Sequence, residues 1–253
     1  MDNRSIGIFD SGIGGLTVLK EYKKLLPNEN YIYYADTANL PYGEKTKEQI
    51  IEYSKNIVET LISKNVKAII IACGTASSLA YTYLKEHYNI PIFNIIEPVV
   101  KNLNSKNIGI IATQASISSH MWENEIKKYN PSSTVTGIAC PKLVPIAENG
   151  LLNSRTSQEA IQEYMDKFKK IKIDSLILGC THYPLFSELI QTELGEKVNL
   201  INVGTYSATE FQKYLYSNNL SNTTKNISRV EYIVSGGRNN FEKNARQLGF
   251  EFQ

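Results

Sequence analysis

Cysteine is scarce in this chain, with 3 residues in 253 and no Cys-x-x-Cys pair. That spacing excludes a disulfide framework, and a reduced, cytoplasmic setting is the expectation. A strong charge of either sign is also missing: 27 Lys and Arg stand against 25 Asp and Glu, a formal net of +2. The balance removes any broad electrostatic reason to expect a nucleic-acid or anionic-membrane partner. Long apolar runs are absent. The most apolar stretch, Ala68 to Cys73, has the length of one strand, far short of the ~20 residues of a membrane helix. Met1-Asp2-Asn3-Arg4 leads into a short apolar run broken by Asp10, the wrong length and flanks for a secretory signal. Disorder is excluded as well, because 42% of residues are hydrophobic and only 21% charged. The length suits one large α/β domain or two small ones.

Short β-branched runs alternate with stretches of helical period. Ile6-Gly7-Ile8-Phe9 reads as a buried strand, followed by a glycine turn and a helix from about Leu16 to Leu26. Tyr31 to Ala35 is a second strand, closed by Asp36, and a loop with Pro41-Tyr42-Gly43 follows. Glu48 to Lys64 carries Ile50, Ile51, Ile57, Val58, Leu61 and Ile62, an amphipathic helical spacing. Ala68 to Ala72 is a third strand, and a helix is expected just after Cys73-Gly74-Thr75. The alternation predicts parallel α/β structure with helices on both faces. Ligands in such sheets sit beyond the carboxyl ends of the strands. Asp10, Ser11, Asp36, Cys73 to Thr75, Thr113 and Cys180 to His182 are therefore the candidates for function.

The second half repeats the first. Ile108-Gly109-Ile110-Ile111 with Ala112-Thr113 answers Ile6-Gly7-Ile8-Phe9 with Asp10-Ser11, and Ser175 to Thr181 answers Ala68 to Thr75. Each half ends an apolar strand in a Cys shortly followed by Thr. The repeat predicts two similar lobes, each presenting one thiol to a shared cleft. Chance is the competing explanation, since any α/β chain has several apolar strands. Against it, two of the three Cys occupy equivalent strand ends.

A Cys between a strand and a helix lies near free N–H groups and the positive helix end, which predicts a lowered pKa. Cys140, in Ile138-Ala139-Cys140-Pro141, has no polar neighbours and reads as a small core hydrophobe. Cys180 is followed directly by Thr181 and His182, and a neighbouring His serves as base or stabilises a thiolate. Two opposed thiols suit inversion of a carbon centre, one taking a proton while the other delivers one from the opposite face. Zinc at Cys180 and His182 is a rival, but structural sites use four ligands at recognisable spacings, and His87 and His120 fall on predicted helices. A hydrolase built on one thiol is another, weakened by the matched second Cys.

Gly12-Ile13-Gly14-Gly15 after the first strand, with Asp36 ending the second, raises a dinucleotide site and an oxidoreductase as an alternative. Thr17 occupies the third-glycine position, and no Gly-Lys-Ser/Thr phosphate loop occurs. Otherwise the glycines make a tight turn that brings Asp10 and Ser11 to a small substrate.

Asp10-Ser11-Gly12-Ile13-Gly14-Gly15-Leu16, Pro41-Tyr42-Gly43, Ile96-Glu97-Pro98 and Leu178-Gly179-Cys180-Thr181-His182-Tyr183-Pro184-Leu185 closely resemble the glutamate racemase family, within the cofactor-independent aspartate/glutamate racemases. The likeness runs from Ile6 nearly to the C-terminus, where Ser235-Gly236-Gly237 and Phe241 resemble the family's closing strand and helix. It implies two pseudo-symmetric parallel-sheet α/β lobes with the active site in the cleft between them. The expected division is 1–96 with 208–253, and 97–207.

The resemblance further implies that Cys73 and Cys180 are paired acid/base thiols, Asp10 assisting the first, His182 and Glu148 the second. Ser11, Pro41, Tyr42, Gly43, Gly74, Thr75, Thr113, Ser116 and Thr181 would line the pocket, meeting carboxylates with N–H groups and hydroxyls rather than Arg. No cofactor, metal or membrane is implied. The substrate would be glutamate and the role D-glutamate supply for peptidoglycan. The sequence permits a homodimer without specifying one. Glu148 also reads simply as a solvated loop carboxylate. Two positions depart from the family pattern: Gly74 replaces the usual Asn, removing a side-chain amide, and Ser116 replaces the usual Thr. The missing amide bears on substrate preference and leaves a racemase of aspartate or another acidic amino acid as the nearest alternative. A non-catalytic regulator retaining the fold is a further one.

Overall fold

The computed structural model describes residues 2–224 and 228–252. Among the described residues nine strands form two sheets: β1 (Ile6–Asp10), β2 (Tyr31–Ala35), β3 (Ala68–Ile71), β4 (Ile92–Asn94), β5 (Asn107–Ala112), β6 (Thr134–Ala139), β7 (Ser175–Leu178), β8 (Asn199–Asn202) and β9 (Val230–Val234). The first has the order β4-β3-β1-β2-β9 and the second β6-β5-β7-β8. Every pairing is parallel.

The repeat seen in sequence is thus a repeat of topology. β2-β1-β3-β4 and β6-β5-β7-β8 are the same arrangement, with β5 answering β1 and β7 answering β3. Each sheet reverses its strand order beside its first strand, the crevice where open α/β sheets bind ligands. β3 and β7 are buried at every position, so continuous Ala-Ile-Ile-Ile and Ser-Leu-Ile-Leu runs form them rather than alternating ones. Helices cover both faces, and each sheet is flanked by two apolar clusters.

Local signals set the helix limits. Thr46 and Gln49 form a reciprocal capping box that starts the helix Lys47–Ser63, within a residue of the predicted bounds. The first helix runs Gly15–Leu25. The Ser235-Gly236-Gly237 segment is not part of the closing strand. It is the turn between β9 and the helix Arg238–Gln247, where Gly237 takes a left-handed φ of 59°. His120 likewise lies off a helix, holding a left-handed φ of 54° before Met121–Tyr129.

The chain returns from the second sheet through the helix Val203–Ser217, which packs on Gly15–Leu25. Tyr22 and Phe211 meet with ring centroids 5.7 Å apart, and the Tyr22 and Ser207 hydroxyls share a hydrogen bond of 2.8 Å. β9 then joins the first sheet beside β2. No helix among the described residues is long and apolar enough to cross a membrane.

A buried ion pair ties the base of the first lobe. Lys67 Nζ donates to Glu29 Oε2 at 2.6 Å and to the Asp2 and Leu220 carbonyls, each at 2.8 Å. Glu29 Oε1 accepts from the Asn222 N–H at 2.8 Å. Removing one charge strands the other in a dry site, at a cost of roughly 3–5 kcal/mol. Lys67→Ala is expected to lose that much in urea unfolding, and Lys67→Met with Glu29→Leu to recover much of it. A loss for Lys67→Ala below about 1 kcal/mol, the scale of a surface pair, would contradict this assignment.

Candidate active site

The polar residues after β1, β3, β5 and β7 converge on one cleft between the sheets. Its walls comprise Ser11, Pro41, Tyr42, Gly43, Glu44, Cys73, Thr75, Thr113, Gln114, Pro141, Val144, Pro145, Cys180, Thr181 and His182. Ten of the fourteen residues anticipated from sequence lie on this wall. Asp10, Gly74, Glu148 and Ser116 stand just behind it. Glu44, Gln114, Pro141, Val144 and Pro145 were not anticipated. His87 and His120 are exposed and elsewhere.

Cys73 caps the helix Gly74–Leu79 and Cys180 follows β7 at the matched position. Both are free and buried. Cys140 is also buried, in the second lobe's core cluster rather than the cleft.

Behind Cys180 runs a polar chain. His182 Nδ1 lies 3.7 Å from Cys180 Sγ, and His182 Nε2 lies 2.7 Å from Glu148 Oε1. That same oxygen accepts the Ile13 N–H from the first lobe at 3.0 Å. Glu148, at the end of the helix Leu143–Glu148, is therefore no solvated loop carboxylate. Burial works against a charged His182, but its hydrogen bonds to Cys180 and Glu148 outweigh this and raise its pKa well above the ordinary value.

Behind Cys73 the surroundings are different. Ser11 Oγ is 4.0 Å from its sulfur. Burial pushes the Cys73 thiol far up, the charge of Asp10 adds to this, and the N–H groups of Ala76 and Thr75 only partly oppose it. The lowered pKa expected from a helix start is thus overturned: a single short helical turn does not compensate full desolvation. Asp10 is itself raised by burial, against the pull of His182, Gly12 and Thr181. Burial thus favours the protonated form of Cys73.

Hydroxyls bridge the lobes. Thr181 Oγ1 donates to Asp10 Oδ2 at 3.0 Å, and Thr17 Oγ1 to the Thr181 carbonyl at 2.9 Å. Thr75 and Thr113 share a bond of 2.8 Å, as Ser78 and Ser116 do at 2.7 Å. Ser116 thus keeps a hydroxyl role as a bridge rather than on the pocket wall. Among the described residues, no Arg or Lys lines the cleft.

Tyr42 lends its ring but not its hydroxyl, which donates to Asp36 at 2.6 Å. Asp36 also accepts from Asn39 Nδ2, at 3.0 and 3.1 Å, and from Ser235 Oγ at 2.8 Å. Its oxygens are occupied by the protein, and it anchors the Pro41 loop instead of facing a ribose. The glycine turn has no room for a pyrophosphate either. A Cβ on Gly12 would fall under 3.0 Å from Glu148 Oε1, and one on Gly14 equally close to His182 Nδ1. The space beside the turn belongs to the other lobe's side chains.

Because Glu148 adds to Cys180 in favouring the imidazolium, Glu148→Gln is expected to lower the His182 titration point toward its ordinary 6.5. A raised folded pKa adds stability that is complete below 6.5 and lost as pH rises through the folded value. The variant should therefore lose most stability on the acid side. Imidazole NMR across pH measures the first effect and urea unfolding the second; an unmoved His182 titration would contradict the relay.

Residues 10–210 match the Asp/Glu/hydantoin racemase family. A protein named glutamate racemase 2 from Caldanaerobacter subterraneus subsp. tengcongensis is 39% identical over 252 residues, covering 98% of this chain and 94% of that one. Among solved structures, glutamate racemase isoform RacE1 from Bacillus anthracis superposes with a TM-score of 0.94 at 32% identity, over 100% of this chain and 96% of that one. The Francisella tularensis glutamate racemase, in complex with D-glutamate, gives 0.92 at 37% identity and the same coverage. With its two thiols, its interlobe carboxylates and these near full-length relatives, the chain belongs to the Asp/Glu/hydantoin racemase family.

Proposed function

We propose that this protein is a glutamate racemase that interconverts L- and D-glutamate by two-thiol proton transfer without a cofactor. The observation that carries this reading is the pair of buried thiols at matched strand ends, one from each lobe, on one cleft. They are close enough for charge on Cys180 to raise Cys73. The relatives named glutamate racemase, one solved with D-glutamate, support the substrate.

One sulfur, as thiolate, takes the Cα proton, and the electron pair of the broken C–H bond passes onto Cα and into the adjacent carboxylate. The other thiol donates its proton to the opposite face of Cα. One thiol is consumed and one formed, so the enzyme ends with the roles exchanged. Cys73, whose thiol form burial favours, is set to donate. His182, held positive by Glu148, offsets negative charge on Cys180. The substrate ammonium brings a cation into the cleft and lowers the cost of a buried thiolate. Ser11 and the remaining O–H of the Thr75–Thr113 pair can donate to the carboxylates, Thr181 holds Asp10 by donating to it, and the Pro41-Tyr42-Gly43 loop and the backbone at Gly74 close the walls.

The division into 1–96 with 208–253, and 97–207, is supported by the sheets, since β1–β4 and β9 share one and β5–β8 the other. A cytoplasmic location and D-glutamate supply for peptidoglycan follow from the same reading, and free thiols suit a reducing compartment.

Purified protein given L-glutamate without pyridoxal phosphate is expected to lose optical rotation as D-glutamate accumulates. Cys73→Ser and Cys180→Ser should each lower kcat by about 10²–10⁴-fold. No racemisation of glutamate, or conversion of aspartate alone in a substrate panel, would overturn the assignment. Full activity in either Ser variant would contradict the thiol pair.

A further inference from the structure

Gly12, Gly14, Gly43 and Gly74 of the first lobe all face the second lobe without a side chain. At the first three, an added Cβ would crowd side-chain atoms of Glu148, His182 and Thr113. Gly74 differs. Its Cβ would fall under 3.0 Å from the carbonyl oxygen of Gly179, 3.2 Å from the Gly179 carbonyl carbon and 3.6 Å from Cys180 Cα. The obstacle is main chain, with no rotamer in which to escape.

That main chain is also fixed. The Gly179 N–H donates to the Ile111 carbonyl at 2.8 Å, and Gly179 directly follows β7, an inner strand of the second sheet. The first lobe has no need of glycine at position 74. The residue opens the helix Gly74–Leu79, and its φ lies outside the left-handed region. Alanine there would favour the helix more than glycine does. Only the approach of the other lobe accounts for a missing Cβ.

We propose that Gly74 is a positioning residue that sets the separation of the two thiols, because bare backbone after Cys73 seats on the carbonyl before Cys180 and stops the closing cleft there. Any side chain at position 74 props the lobes apart by about 1 Å, and a misplacement of that size costs on the order of 10²-fold in rate. Asn, usual here in the family this chain resembles, brings a Cβ along with its amide. In this chain Gly74→Asn therefore impairs rather than restores.

The kinetic part rests on the racemase reading, whereas the seating is read independently by hydrogen exchange at the Ile13 amide. That amide bonds Glu148 across the cleft and is released when the lobes part. In Gly74→Ala and Gly74→Asn, Ile13 should exchange at least about tenfold faster than in the unsubstituted protein, while Ile8 and Ile70 inside the first sheet stay unchanged. The kcat for glutamate should fall about 10²-fold, beyond any rise in KM. Unchanged Ile13 exchange, or kcat within about twofold of the parent, would overturn the proposal. So would a variant that unfolds, since the strain is then not relieved by parting the lobes. If the unsubstituted protein does not racemise glutamate, the functional reading fails while Ile13 exchange still decides whether Gly74 seats the lobes.

Discussion

Asp10 of the first lobe accepts a hydrogen bond from Thr181 of the second, and Glu148 of the second accepts one from the Ile13 N–H of the first. These reciprocal bonds join the two halves at the level of the thiols. Each carboxylate assigned to one sulfur is held by the lobe that carries the other. Parting of the lobes would take Thr181 from Asp10 and leave Glu148 Oε1 with His182 alone, and water would enter and weaken every electrostatic interaction in the cleft. Proton-transfer geometry and lobe closure are thereby one structural variable.

Burial and charge are arranged differently around the two sulfurs. Around Cys73 desolvation dominates, and the neighbouring Asp10 reinforces it. Around Cys180 the imidazolium of His182, supported by Glu148 at 2.7 Å, supplies positive charge. The lobes share a topology but not an electrostatic environment. That asymmetry suits a pair whose two members have different tasks at the start of a turnover.

Much of the fold was legible because strand ends announce themselves. Apolar runs closed by Asp10, Asp36, Cys73, Thr113 and Cys180 located five of nine strands, and the repeat of Cys-bearing ends anticipated two like lobes. The missed wall residues share a physical cause. Glu44, Gln114, Pro141, Val144 and Pro145 sit on short helices and turns whose placement is set by tertiary packing, which no local period encodes. Glu148 came only through family resemblance, as its partner His182 is 34 residues away. The Cys73 thiol was misjudged because the sequence shows a helix start but not how deeply the cleft buries it. Asp36 misled for the related reason that its partner Ser235 lies 199 residues on.

The central claim is that two thiols on opposite faces of one carbon act as separate acid and base. The isotope content of D-glutamate formed from L-glutamate in deuterium oxide, sampled at the earliest conversion, tests it most directly. Opposed thiols predict deuterium at Cα in essentially every product molecule, while unconverted L-glutamate retains its hydrogen. D-glutamate carrying hydrogen from the substrate would mean that one group serves both faces, and would contradict the claim.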